Sequence, residues 1–170
     1  WCAAVLHGRR VVVFGGNDGN EAALNTTEVL DLDDDGATEA FSVGPPMATA
    51  RDGCAAVRLD ARRVLVVGGT ESGMLSGSLD TTEILDLETM RFSAGLRMLS
   101  KRAECTAVAL DARRILVAGG CDKNGYCHTT TAILDVATMT FAPGPEMLSK
   151  RRGCSAVALQ NPCRALIVGG

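Results

Sequence analysis

At 170 residues, 46% hydrophobic and 22% charged, the chain has the composition of one ordinary globular domain with enough apolar material for a core. Its formal net charge of -3 and pI near 5.4 leave no cationic surplus for neutralising phosphates, so neither a nucleic acid nor an acidic membrane surface is expected as a partner. No apolar run approaches the roughly 18 to 20 residues that a membrane helix needs. The sequence opens on Trp1 with no charged and apolar leader pattern, so no targeting signal is expected within it.

The first short apolar segment is "CAAVL" at 2–6, and "HG" separates it from "VVVFGG" at 11–16. Two such segments joined by turn residues predict a β-hairpin, strands a and b. A polar loop, "NDGNEAALN", leads to "TTEVLDL" at 26–32, whose β-branched residues predict strand c. After the insert "DDDGATEA" comes "AFSVGPPM", strand d. The same series then repeats. "CAAVRL", "DAR", "VLVVGG", "TESGMLSGSLD", "TTEILDL" and "RFSAGLRM" form the second copy, and "CTAVAL", "DAR", "ILVAGG", "CDKNGYCHT", "TTAILDV" and "TFAPGPEM" the third. "CSAVAL", "QNPC" and "LIVGG" begin a fourth. The glycine pairs Gly15-Gly16, Gly68-Gly69, Gly119-Gly120 and Gly169-Gly170 are spaced by 53, 51 and 50 residues.

A fixed period of this length signals a repeat architecture. Four short strands per copy, with no helix-period segment between them, cannot bury both faces alone, and radial stacking of four-stranded sheets is a β-propeller. The expected fold is all-β, with about three and a half four-stranded antiparallel blades at about 1–50, 51–100, 101–148 and 149–170. At each strand end a glycine pair permits close backbone approach or a bend that a Cβ would block.

These repeats resemble the kelch family, whose pattern pairs a double glycine closing the second strand with a tyrosine in the third and a tryptophan seven residues on. Leu85 to Phe92 and Leu134 to Phe141 keep that spacing, whereas Leu30 to Phe41 is longer by four. Leucine and phenylalanine replace the aromatic pair, so the set is divergent. The resemblance implies closure with six or seven blades, so the chain is expected to be a fragment of a protein of at least about 300 residues.

Antiparallel order places the d–a and b–c loops at one end of the blades and the a–b and c–d turns at the other. Arginine opens strand a at each complete junction, as Arg51, Arg102 and Arg151, with Lys101, Lys150 and Arg152 beside them. Guanidinium forks converging near the axis suit a carboxylate or phosphate. The position resembles the one from which kelch substrate adaptors offer arginines to acidic peptides; the alternative is a structural role, tying blades through loop carbonyls. The b–c loops are the longest and least alike, the usual seat of binding specificity on a rigid scaffold.

Cys2, Cys54, Cys105 and Cys154 share one strand-a position and read as small buried thiols in separate blades. Cys121 and Cys127 are expected to be free loop thiols, with a disulfide or a zinc site completed by His128 and Asp122 as alternatives. Cys163 is a lone turn residue. The odd, unpaired count favours a reducing, cytoplasmic compartment. "DLDDDG" at 31–36 has calcium-loop spacing, but Asp31 is also the ordinary repeat aspartate matched by Asp86 and Asp135, so a solvated turn is expected.

Galactose-oxidase-like copper enzymes share the kelch-type propeller, and that likeness implies two histidines and two tyrosines around the metal. Here there is one tyrosine, Tyr126, and the two histidines, His7 and His128, belong to opposite blade ends. No catalytic set, metal or cofactor is expected within these residues. The expected function is a protein-interaction scaffold offering b–c and d–a loops to a protein or peptide partner. The alternatives are the propeller of such a copper enzyme with its ligands elsewhere, and a purely structural segment of a larger ring.

Overall fold

The computed structural model describes residues 1–20, 22–32, 40–72, 77–159 and 164–170. The calcium-type stretch from residue 33 onward and Cys163 lie outside them. Among these described residues, fourteen strands form four separate antiparallel sheets. The first holds β1 (Ala3–His7), β2 (Arg10–Phe14), β3 (Thr27–Asp31) and β4 (Ser42–Val43) in that order. The second holds β5 (Ala55–Arg58), β6 (Arg63–Val67), β7 (Thr81–Asp86) and β8 (Arg91–Arg97). The third holds β9 (Ala103–Ala109), β10 (Arg114–Cys121), β11 (Thr131–Asp135) and β12 (Thr140–Pro143), and the fourth pairs β13 (Ser155–Leu159) with β14 (Arg164–Val168). Each sheet is a simple meander, the topology of a propeller blade.

The first strands β1, β5, β9 and β13 lie against their neighbours from sheet to sheet, so strand a is innermost. Backbone bonds link them in series: Gly53 N–H donates to the Trp1 carbonyl at 2.9 Å, Glu104 to Gly53 at 2.7 Å, and Gly153 to Glu104 at 2.9 Å. These positions require left-handed backbone, which Gly53 and Gly153 adopt freely and Glu104 adopts at φ 57°.

Strand b reads as an unbroken apolar run because both of its faces are covered. Along β6, Val64 and Val66 pack with Val12, Phe14 and Val29 of the first sheet, while Leu65 and Val67 pack with Ile115, Val117 and Leu134 of the third. The two-residue side-chain period of a strand thus places one strand in two interblade cores. The residue types that depart from the kelch pattern keep its register: Leu85 stands opposite Phe92 and Leu134 opposite Phe141, and both leucines are fully buried. In the first sheet, Val29 pairs with Ser42 and Glu28 with Val43, the same register despite the longer connection.

The two turn types at the outer end explain the repeated "DARR". Asp60 accepts from the Arg62 and Arg63 N–H groups, each at 2.8 Å, and from the Arg63 side chain at 2.7 Å. Arg62 reaches across to Asp86 at 2.7 Å, whose other oxygen caps the c–d turn through the Glu88 and Thr89 N–H groups. Asp111, Arg113 and Asp135 repeat the arrangement. Hydrogen bonds from the Thr89 and Glu88 backbone and from Arg62 hold the Asp86 carboxyl down at about 2. Asp31 bonds Arg10 at 2.7 Å, and Arg10 holds the position of Arg63 in the second sheet, so this pair is shifted by one residue from that of Arg62 and Asp86.

Leu65, packed in the core between the second and third sheets, is the sharpest test of blade stacking. Leu65→Ala is expected to lower stability by about 2 to 5 kcal/mol in urea unfolding, with the slope of the transition unchanged.

Candidate functional site

The glycine pairs and the arginines that open strand a form one repeated junction. The second glycine of each pair donates its N–H to the carbonyl of the next sheet's arginine: Gly16 to Arg51 at 2.9 Å, Gly69 to Arg102 at 2.9 Å and Gly120 to Arg151 at 2.8 Å. Each arginine then extends its side chain along its own sheet to the carbonyl of that sheet's first glycine. Arg51 Nη1 bonds Gly68 at 2.7 Å, Arg102 Nη1 bonds Gly119 at 2.7 Å and Arg151 Nη1 bonds Gly169 at 2.5 Å. The first glycine is obligatory for two reasons: its φ is positive, and a Cβ would collide with the following arginine's carbonyl oxygen, as at Gly15, Gly68 and Gly119.

Two of the six cations proposed for partner binding are therefore structural. Arg51 is 0% exposed and Arg102 is 1% exposed, so both guanidiniums lie beneath the loop surface. Of the two roles open to them in the sequence, the blade-tying one accounts for their contacts. Arg51 also bonds the Thr81 carbonyl and hydroxyl, each at 3.1 Å, and Glu83, which is buried with it, at 3.0 Å. Glu83 in turn accepts from the Ala48 N–H at 2.7 Å and the Thr49 N–H at 3.1 Å. Arg102 makes the matching bonds to Thr130, at 2.8 Å and 2.7 Å, but Ala132 stands where Glu83 would, and the Arg102 Nε finds no partner among the described residues. Burial without a carboxylate holds Arg102 below the usual arginine range. Glu83 was not singled out in the sequence; the signal was the change from "TTE" to "TTA" between repeats.

Arg151 is half-buried, while Lys101, Lys150 and Arg152 are exposed on the same junctions. The d–a and b–c loops do meet. Arg51 N–H bonds Leu24, Arg102 N–H bonds Leu79, and the His128 ring lies 3.2 Å from the Lys101 carbonyl. His7 instead lines a cavity with Ala61, Arg62, Leu87 and Glu88, among the a–b and c–d turns. The two histidines occupy opposite ends and share no site.

The expectation of free thiols in the third b–c loop is corrected: Cys121 and Cys127 form a disulfide. β10 runs on to Cys121, the loop folds back through Gly125 in left-handed backbone, and Asp122 accepts from the Asn124 and Tyr126 N–H groups, at 2.8 Å and 3.0 Å, bringing the two thiols together. That bond takes away the support that unpaired cysteines lent to a reducing compartment. Cys54, Cys105 and Cys154 are buried and Cys2 exposed, and all four line a cavity of about 180 Å³ near the axis with Gly53, Glu104 and Gly153. Burial pushes the Cys54 thiol up to about 11 and Cys105 up to about 12.

Meander blades stacked about their first strands, joined through double glycines and strand-opening arginines, define a kelch-type propeller. The family model described as the KLHDC2/KLHL20/DRC7 Kelch-repeats domain matches residues 1–170, and the chain belongs to that family. Kelch-repeat domains generally serve as protein-interaction scaffolds. Acyl-CoA-binding domain-containing protein 5 of Arabidopsis thaliana is 32% identical over 126 residues, which are 72% of this chain and 19% of that protein. Acyl-CoA-binding domain-containing protein 4 of the same plant is 31% identical over 126 residues, 72% of this chain and 18% of its own length. The chain thus spans less than a fifth of the curated relatives it matches.

Gly68→Ala is expected to lose roughly 2 kcal/mol or more of stability in denaturant unfolding, because left-handed strain and the Arg102 carbonyl both oppose the new Cβ. The raised thiols carry a definite sign. Cys54 and Cys105 stay neutral in the fold above pH 9, where the unfolded thiols ionise, so their contribution is present below about 9 and is lost as pH rises toward 11 to 12. Iodoacetamide at pH 8 should therefore label exposed Cys2 in the native chain and leave Cys54 and Cys105 unmodified until urea is added. Rapid native labelling of Cys105 would contradict its burial.

Proposed function

We propose that this chain is a protein-interaction module that offers its d–a and b–c loops to an acidic, partly apolar peptide or protein segment. The observation that carries the reading is the repeated "LSK" of the d–a loops. Leu99 is 55% exposed beside Lys101, and Leu148 is fully exposed beside Lys150, although each stands next to a residue committed to the blade junction. Tyr126, 68% exposed, projects from the disulfide-closed b–c loop whose His128 contacts Lys101. Exposed leucine and tyrosine interleaved with cations are the residue types that anchor interface cores and steer acidic partners. Arg152 adds charge beside Glu104, at 3.7 Å, in a partly exposed pair that contributes little to stability.

A peptide array of graded charge and hydropathy, probed with the wild-type chain and with a Lys101→Glu, Lys150→Glu, Arg152→Glu variant, tests this reading. Wild type is expected to retain acidic peptides containing leucine or aromatic residues, with binding falling as salt rises. The variant should lose about tenfold or more in affinity without loss of stability. Retention that ignores both peptide charge and the three reversals would refute the assignment.

A further inference from the structure

The second and third sheets build the same arginine junction with one difference. Around Arg51, the Glu83 carboxylate accepts four hydrogen bonds: Ala48 N–H at 2.7 Å, Thr49 N–H at 3.1 Å, Arg51 Nε at 3.2 Å and Arg51 Nη2 at 3.0 Å. In the third sheet the corresponding donors are the Leu99 and Ser100 N–H groups and the Arg102 guanidinium. Arg102 keeps its bonds to Gly119 and Thr130 just as Arg51 keeps those to Gly68 and Thr81. The acceptor is missing. Ala132 supplies a Cβ and nothing beyond it, Arg102 Nε is buried without a partner, and neither the Leu99 nor the Ser100 N–H finds one among the described residues. A buried guanidinium left in this state is costly unless an anion or water completes it.

We propose that the Arg102 junction is a binding site for a single small carboxylate. What separates alanine from glutamate is one methylene and one carboxyl group, the heavy-atom framework of acetate. An acetate ion would accept from Leu99 N–H, Ser100 N–H and Arg102 from a position shifted outward relative to the Glu83 carboxylate, because its methyl group is not bonded to the Ala132 Cβ and needs a van der Waals separation from it. Charge and donor number select a monovalent, planar, two-oxygen anion, and the closeness of the Ala132 Cβ limits it to one no bulkier than acetate. The carboxylate can come from a free small acid or from an acidic side chain of a bound protein, and the two differ in how much must enter the junction. The site lies at the root of the loop that carries exposed Leu99 and Lys101, but it does not depend on that surface binding anything.

The test is an acetate titration of the full chain, from roughly 1 to 100 mM at constant ionic strength, followed by the thermal unfolding midpoint and by line broadening of the acetate methyl proton resonance. Formate and acetate should raise the midpoint with concentration and pivalate should not, because its branched carbon does not fit. Ala132→Glu supplies the carboxylate from within and should raise the midpoint without ligand while abolishing the acetate response. Glu83→Ala should open a second site and steepen that response; should this variant fail to fold, Ala132→Glu still decides. A capped Gly-Glu-Gly peptide distinguishes the sources. Competition with acetate assigns the carboxylate to a protein side chain, and a response to free acids alone assigns it to a small metabolite. An acetate effect equal in wild type and Ala132→Glu, or equal for acetate and pivalate, would overturn the proposal.

Discussion

The blades are held in place by a close approach between one residue's main chain and another's. Where a glycine pair meets the carbonyl of the next sheet's arginine, no side chain fits, and the second glycine's N–H is satisfied by that carbonyl. The same arginine turns its guanidinium back to its own sheet's first glycine. One residue therefore joins two sheets, through its carbonyl to the sheet before and through its side chain to its own. The spacing between blades, the burial of strand b on both faces and the line of strand-a cysteines all follow from this contact.

The junction also explains why charge sits so deep in a small β structure. A guanidinium is tolerated when carbonyls and a carboxylate surround it, because each N–H regains in the protein what it loses in water. Arg51 has that full complement, including Glu83. Arg102 has the carbonyls without the carboxylate, and the difference traces to a single position, Ala132. The three-dimensional repeat makes the difference legible, since the second sheet shows where the Glu83 carboxylate stands against Arg51.

The residues that tie blades are buried and cannot easily change, whereas Leu99, Lys101, Tyr126, Leu148 and Lys150 stand free of those contacts on the same end. A rigid base with unconstrained loops is the arrangement by which kelch-type domains serve as scaffolds, and the disulfide between Cys121 and Cys127 stiffens the loop carrying Tyr126.

The repeat period, the order of four strands and the register that sets Leu85 against Phe92 were all legible in the sequence, because they are local: strand pairing in a meander is dictated by turns and alternation. The role of the glycine pairs as a close-approach point was legible for the same reason. What only the tertiary structure decided was which charges are buried. The repeat marks Arg51 and Arg102 as the residues that open strand a, but leaves open whether they face a partner or tie the blades; stacking leaves Lys101 exposed and folds Arg102 beneath the neighbouring sheet. The Cys121–Cys127 bond was only one of the readings open in the sequence, since a six-residue separation permits pairing without requiring it, and it is the fold-back around Asp122 and Gly125 that brings the thiols together.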